Sequence, residues 1–259
     1  MKDIITYAVG DVHGRADLLK AVIHHAISDA MSRNAIPKFI FLGDICDRGP
    51  RSRQALDLVA DVLGDFEGSV LLKSNHDDMF AGALRSMDRR QIGAWLSRGG
   101  MQTLASYCPS DLNGAFEVIR TLHQDHLRMI DDAASMYVEN GIVFAHAGIN
   151  PDMGIQQQDD HDLMWIRDGF LEHVGYLDAV VVHGHTVVGD LPVATENRVS
   201  IDTGAHTSGR LTVAAIQNGE FRFFQTDGCA SRVVEVEAVR LDRGLGTCLG
   251  VCEAMALAA

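Results

Sequence analysis

The chain has 259 residues, 47% of them hydrophobic and 22% charged, with a formal net charge of −13. That is enough apolar material for one large globular domain or two small ones. The acidic balance and the lack of a long Lys/Arg run work against nucleic acid and anionic membranes as partners, although metal ions can reverse the local sign at a phosphate site. Met1 leads almost directly into the apolar run Ile4–Val9, with no basic segment or cleavage site, and the five cysteines are scattered and odd in number. The expectation is a cytoplasmic protein with no membrane span and no disulfide framework.

Ile4–Val9 reads as a strand, followed by the loop Gly10–Gly14 and a helix from Asp17 to about Met31, periodic in Leu18, Leu19, Val22, Ile23, Ala26 and Ile27. Lys38–Leu42 is a second strand. A helix over Arg51–Leu63 follows, started by Pro50. Val70–Lys73 is a third strand, ending in Ser74-Asn75-His76-Asp77-Asp78. Strand, polar loop and helix recur three times, the pattern of a parallel or mixed sheet with helices outside. Residues 78–134 read as a helical insertion beside the site, interrupted by Gly99-Gly100 and Pro109. Met136–Asn140 and Ile142–Ala145 form a hairpin about Asn140-Gly141. Asn150–Asp162 reads as a loop, and strands follow at Ala179–Val182, Val199–Ile201, Leu211–Ile216, Phe221–Gln225 and Arg232–Val236. The expected organisation is one domain over 1–237 and a tail over 238–259. Cys248 and Cys252 in that tail read as ordinary thiols rather than a metal pair.

Five strand-end loops carry groups that packing does not ask for: Asp11 with His13, Asp44 with Asp47, Asn75 with His76, His146, and His185. Taken singly, each has a plain structural reading. An Asp after a strand often caps a helix, and a lone His is often a hydrogen-bonded core residue. His183 and the remaining histidines receive that reading; His206, in a Gly-flanked loop, is the least secure of them. Together the five loops describe something else. Carboxylate and imidazole donors suit Mn, Fe, Zn or Ni better than Ca or Mg, and one carboxylate can bridge two ions. Such pairs of ions activate water and clamp phosphoryl oxygens.

GDVHG (10–14), GDICDRG (43–49), SNHDD (74–78), HAG (146–148) and HGHT (183–186) resemble, in this order, the signature blocks of the calcineurin-like metallophosphoesterases. More narrowly, they are similar to the phosphoprotein phosphatase family, with its bacterial and phage serine/threonine phosphatases and the symmetrical diadenosine tetraphosphatases. The run Ile201–Ile216 resembles the family too. The resemblance implies an α/β fold with a central mixed β-sandwich flanked by helices in four layers, α/β/β/α. It implies two divalent ions, Mn foremost, with Asp11, His13 and Asp44 holding one and Asp44, Asn75, His146 and His185 the other. It makes His76 the general acid, oriented by Asp47, and Arg48 and Arg167 the phosphate-binding arginines. For Arg167 the structural alternative is a surface salt bridge with Asp168 or Glu172. The implied mechanism is direct in-line attack by a metal-bridging hydroxide, with Cys46 a buried small residue rather than a nucleophile.

The second Asp before Arg48 is kept, as in the protein phosphatases. The leading expectation is therefore a phosphatase of phosphoserine and phosphothreonine proteins or of small phosphoesters. A symmetrical dinucleoside tetraphosphate hydrolase is the alternative. A non-catalytic phosphate-binding scaffold conflicts with the complete set of ligands, and a nuclease with the charge. The insertion and the 150–162 loop would set the substrate. One block departs from the family: its usual Gly-Asn-His-Glu is here Ser74-Asn75-His76-Asp77. If the glycine takes a positive φ, Ser74 must strain or shift the loop, and the shorter Asp77 forgoes a supporting contact.

Overall fold

The repeated strand, loop and helix units are all formed in the computed structural model, which describes residues 2–228 and 232–241. Strand β1 (Ile4–Val9) leads to helix α1 (Ala16–Ser32), β2 (Ile36–Phe41) to α2 (Ser52–Asp65), and β3 (Val70–Leu71) to α3 (Asn75–Ser86). α1 buries Leu18, Leu19, Val22, Ile23 and Ala26, the stripe that its period predicts. The insertion continues with α4 (Arg89–Trp95), a kinked stretch (Leu96–Gly100) with Gly99 at φ 112°, α5 (Met101–Tyr107), α6 (Leu112–Leu122) and α7 (Gln124–Asp131). The carboxylates of Asp88 and Asp111 accept the first free N–H groups of α4 and α6.

β4 (Met136–Glu139) and β5 (Ile142–Ala145) form the expected hairpin, with Asn140 and Gly141 both at positive φ. The stretch 150–162 is not wholly a loop. It holds a 3₁₀ turn, Ile155–Gln157, and the start of α8 (Asp160–Trp165), where Asp159 caps the N–H of His161. The chain continues through α9 (Asp168–Leu171), β6 (Val180–His183), β7 (Val193–Ala194), β8 (Arg198–Ser200) and α10 (Ala205–Ser208). It then forms β9 (Thr212–Gln217), β10 (Glu220–Thr226), β11 (Val233–Val236) and β12 (Val239–Arg240). Cys248 and Cys252 lie outside the described residues.

The strands make two six-stranded sheets, ordered β11-β10-β9-β1-β2-β3 and β12-β7-β8-β6-β5-β4. β1, β2 and β3 run parallel, as do β5, β6 and β8, while β9, β10 and β11 extend the first sheet by antiparallel pairing. Alternation along each strand sorts the side chains into layers. Ala8, Ile40 and Leu42 face Phe144, Val180 and Val182 in the core between the sheets. Ile5, Tyr7, Val9, Phe39 and Phe41 point the other way, into α1, α2 and the insertion. Val143, Ala145 and Val181 pack under Leu163 and Phe170 of α8 and α9. Both faces of each sheet are therefore buried, and the architecture is the four-layer α/β/β/α sandwich. At the far end, buried Lys38 of β2 pairs with Glu139 of β4, which also accepts from Thr6 Oγ1 at 3.2 Å, so one ion pair ties the two sheets. No helix among the described residues is long and apolar enough to cross a membrane.

Candidate active site

The carboxyl ends of β1, β2, β3, β5 and β6 lie at one end of the sandwich, where open α/β sheets place ligands. Asp44 is the hub of the loops that follow. Its Oδ1 accepts the His76 N–H at 3.1 Å and lies 3.5 Å from His146 Nε2, and its Oδ2 lies 3.3 Å from His13 Nε2. The first two loops are bonded to each other: Val12 and His13 N–H both donate to Asp44 O, and Gly14 N–H to Ile45 O. His13, Asp44, Asp47, Arg48 and His185 all adopt positive φ, between 44° and 71°. Conformations of that kind persist in non-glycine residues only where the surroundings dictate them.

Ser74 and Asp77 supply part of that constraint, and the expected strain at Ser74 does not arise. Ser74 is extended, with φ −137° and ψ 161°, and caps α3. Its hydroxyl accepts the Asp44 N–H at 2.8 Å and donates to Asp77 Oδ2 at 2.8 Å. The Asp77 carboxylate takes the N–H groups of Ile45 and Cys46 at 3.1 Å. The shorter acid thus does make supporting contacts, to the loop that carries Asp44.

The donor set fits divalent cations. His146 Nδ1 lies 2.9 Å from the carbonyl oxygen of Leu42, which can only accept, so Nδ1 carries the proton and Nε2 a lone pair. That lone pair faces Asn75 Oδ1, another acceptor, at 2.9 Å. His13 Nδ1–H likewise donates to Cys46 O at 3.0 Å, so Nε2 carries the lone pair. Two groupings with mutually close ligand atoms share Asp44: His13, Asp44 and His76, and Asp44, His146 and His185. Asp11 joins them through His185, whose N–H it accepts at 3.1 and 3.2 Å. A Cβ on Gly184 would come within 2.0 Å of Asp11 Oδ1, so only glycine fits there.

Electrostatics point the same way. Burial and the neighbouring carboxylates of Asp202 and Asp44 push the Asp11 carboxyl well above its usual range, a surplus of negative charge that a cation relieves. Burial works on Asp44 too, but the surrounding imidazoles of His146, His76, His13 and His185 outweigh it and hold the carboxyl far below its usual range. Burial lowers His13 and His185 to about 3, so both are neutral and able to ligate. Burial also opposes the charged form of His76, yet Asp44 and Asp47 prevail and raise it.

His76 Nδ1–H donates to Asp47 Oδ2 at 2.8 Å. Arg48 spans the two neighbouring imidazoles, with Nη1 2.8 Å from His13 Nε2 and Nη2 2.9 Å from His76 Nε2. Arg167 points inward, its Nε donating to His185 Nε2 at 3.2 Å, and the salt bridge weighed for it with Asp168 or Glu172 is not formed. A cleft of about 580 Å³ opens over this floor, walled by Arg48, His76, Arg98, Trp165, Arg167 and His206. All ten residues singled out in the sequence therefore meet at one place. His183 stays out of the cleft, bonded to Ser200 Oγ at 2.6 Å. Cys46 is fully buried, and burial together with Asp47 and Asp77 pushes its thiol up, which makes it a poor nucleophile. A third grouping, Asp57, His123 and His126, is already satisfied: Tyr107 and Asp57 hold the His126 ring nitrogens and Arg53 binds Asp57.

Residues 6–190 match the calcineurin-like phosphoesterase family profile. The chain belongs to that family. Serine/threonine-protein phosphatase 2 of Escherichia coli K12 is 25% identical over 221 residues, 82% of this chain and 92% of its own. The asymmetrical bis(5'-nucleosyl)-tetraphosphatase PrpE of Bacillus cereus ATCC 10987 is 29% identical, covering 79% of this chain and 87% of its own. A solved protein serine/threonine phosphatase from Saccharomyces cerevisiae shares the fold, with a TM-score of 0.54 over 92% of this chain and 81% of its own at 13% identity. As a calcineurin-like phosphoesterase the chain is a metal-dependent phosphoric ester hydrolase.

Three further residues of this phosphoesterase reach the site without a sequence signal strong enough to single them out. Asp202 is buried beside Asp11, and its Oδ1 accepts the Gly204 N–H at 3.0 Å. Trp95 and Thr103 reach Asp47 from the insertion. The only hint of Asp202 was its place in the family-like run from Ile201. Trp95 and Thr103 read as ordinary helical residues.

Proposed function

We propose that this phosphoesterase hydrolyses phosphomonoesters, with phosphoserine and phosphothreonine in proteins as its main substrates. The observation that carries the reading is the position of His76 on the cleft wall, fixed at Nδ1 by Asp47 with Nε2 beside Arg48. A serine or threonine alkoxide is a poor leaving group and needs a proton as it departs, whereas a nucleotide leaving group is already well stabilised. A dedicated acid is worth most in the first case. In this reading His76 Nε2 delivers that proton, Asp47 keeps the ring in the right tautomer, and Arg48 and Arg167 grip the phosphoryl oxygens with their planar forks. Asp11, His13 and Asp44 hold one divalent ion, and Asp44, Asn75, His146 and His185 the other; Mn leads, with Fe, Zn and Ni also suited to such donors. Bound there, the ions supply positive charge to the phosphoryl oxygens and acidify water.

A second reading, a dinucleoside tetraphosphatase, draws support from the size of the cleft and from Arg98 and Trp165 on its wall, a cation and a ring suited to a further phosphate and a base. Assay of a phosphoserine peptide and diadenosine tetraphosphate side by side separates the two. In the first reading the peptide has the higher kcat/KM, and His76→Asn lowers peptide turnover by about a hundredfold or more with metal content retained. A preference for the dinucleotide, or loss of metal together with activity, rejects it.

A further inference from the structure

The acid–carboxylate pair rests on the helical insertion. The Asp47 side chain is fully buried and receives donors besides His76: Trp95 Nε1–H reaches Oδ1 at 2.9 Å and Oδ2 at 3.1 Å, and Thr103 Oγ1–H reaches Oδ1 at 2.7 Å. Thr103 Oγ1 also accepts the Asp47 N–H at 2.9 Å, so one hydroxyl holds both the backbone and the carboxylate of this residue. These donors fix the plane of the buried carboxylate: Thr103 holds Oδ1, and Oδ2, which Trp95 also reaches, accepts from His76.

The insertion is shaped to deliver these groups. A kink at Gly99, between α4 and α5, separates Trp95 from Thr103, and both side chains reach Asp47. Trp95 is fully buried, with its ring against Phe80 and Gly100 pressed on its face; a Cβ on Gly100 would fall 2.4 Å from the indole. We infer that Trp95 and Thr103 are positioning residues for proton delivery to the leaving group. They act through Asp47 on His76 and do not touch substrate. The inference rests on the reading of His76 as the general acid. It also gives the insertion a part in the chemistry itself, beyond shaping the cleft.

The test is the dependence of turnover on the leaving group, in the full-length protein with Mn²⁺. p-Nitrophenolate departs readily without a proton, and a serine alkoxide does not. Trp95→Phe and Thr103→Val should each lose about tenfold to a hundredfold on the phosphoserine peptide, with a loss several times smaller on p-nitrophenyl phosphate. Thr103→Ser, which keeps the hydroxyl, should restore the wild-type ratio. His76→Asn serves as the reference. If it shows no leaving-group split, the general-acid reading fails and this inference with it. If it shows the split while Thr103→Val and Trp95→Phe lower both substrates equally, the two residues are merely structural and this inference alone fails. A readout free of metal and turnover accompanies it. The chain has two tryptophans, and the indole N–H resonance assigned to Trp95 in the metal-free protein should shift in Asp47→Asn and hold in Arg167→Ala. A resonance indifferent to Asp47→Asn overturns the contact on which the inference stands.

Discussion

His146 Nε2 and Asn75 Oδ1 face each other at 2.9 Å as two acceptors, because the Nδ1–H of His146 is committed to Leu42 O. A cation between them removes the repulsion. Saturating Mn²⁺ at about a hundredfold over its dissociation constant should stabilise the protein by about 2.7 kcal/mol, or about 5–10 °C in Tm for a chain of this size. Asn75→Ala and His146→Ala should lose most of that shift. Thermal melts with Mn²⁺ and with EDTA decide it, and an undiminished shift in both variants would remove these residues from the metal site.

Ser74 stands where the resemblance implies glycine, yet its hydroxyl accepts the Asp44 N–H and caps α3. Ser74→Gly should therefore destabilise the protein by about 1–2 kcal/mol, seen as a lower urea midpoint with unchanged slope. A gain in stability would show that serine is a strained substitute after all.

Gly99 accepts the Arg48 N–H through its carbonyl at 3.1 Å and has φ +112°. A Cβ there would lie 2.7 Å from Arg48 N and 2.8 Å from Arg48 Cγ. Gly99→Ala should push Arg48 off the floor of the cleft and lower kcat/KM by about tenfold or more, as a displacement of about 1 Å does near reacting groups. Gly93→Ala, with nothing within 4 Å of the new methyl, is the control. Equal kinetics in the two would show that the approach of Gly99 to Arg48 is immaterial.

Away from the site, Asp29 is bound by Nη1 and Nη2 of Arg222 at 3.0 and 2.7 Å and by Tyr7 Oη at 2.7 Å. Burial raises its pKa, but these bonds prevail and bring it from 3.8 down to about 2. The folded value lies below the unfolded one. The contribution to stability is thus complete above about pH 3.8 and lost as pH falls through 2. Arg222→Ala should flatten the stability–pH curve in that window and cost about 1–3 kcal/mol at pH 7. Parallel wild-type and variant curves between pH 2 and 4 would show that the pair contributes nothing.

The long elements and the site loops were legible because each obeys a local rule. A run such as Phe39–Phe41 is apolar on both faces only in a buried strand, and acids and imidazoles repeatedly placed at strand ends have no packing purpose. What escaped was set by tertiary contact. β7 and β12, of two residues each, carry no period. Helix α8 begins inside a polar stretch whose cap, Asp159, looks like any loop residue. Asp202, Trp95 and Thr103 are defined by partners 191, 48 and 56 residues away, a relation that no local pattern encodes. His206, read as structural, stands on the cleft wall for the same reason.

The left-handed backbone at His13, Asp44, Asp47, Arg48 and His185 sets heat resistance against turnover. Each such residue carries a conformational penalty of about 1–2 kcal/mol that glycine would not. A random library screened only for survival after heating should therefore enrich glycine and asparagine at these five codons, and its hardiest members should be inert. Improvement of this enzyme by thermal selection has to keep those positions closed to variation.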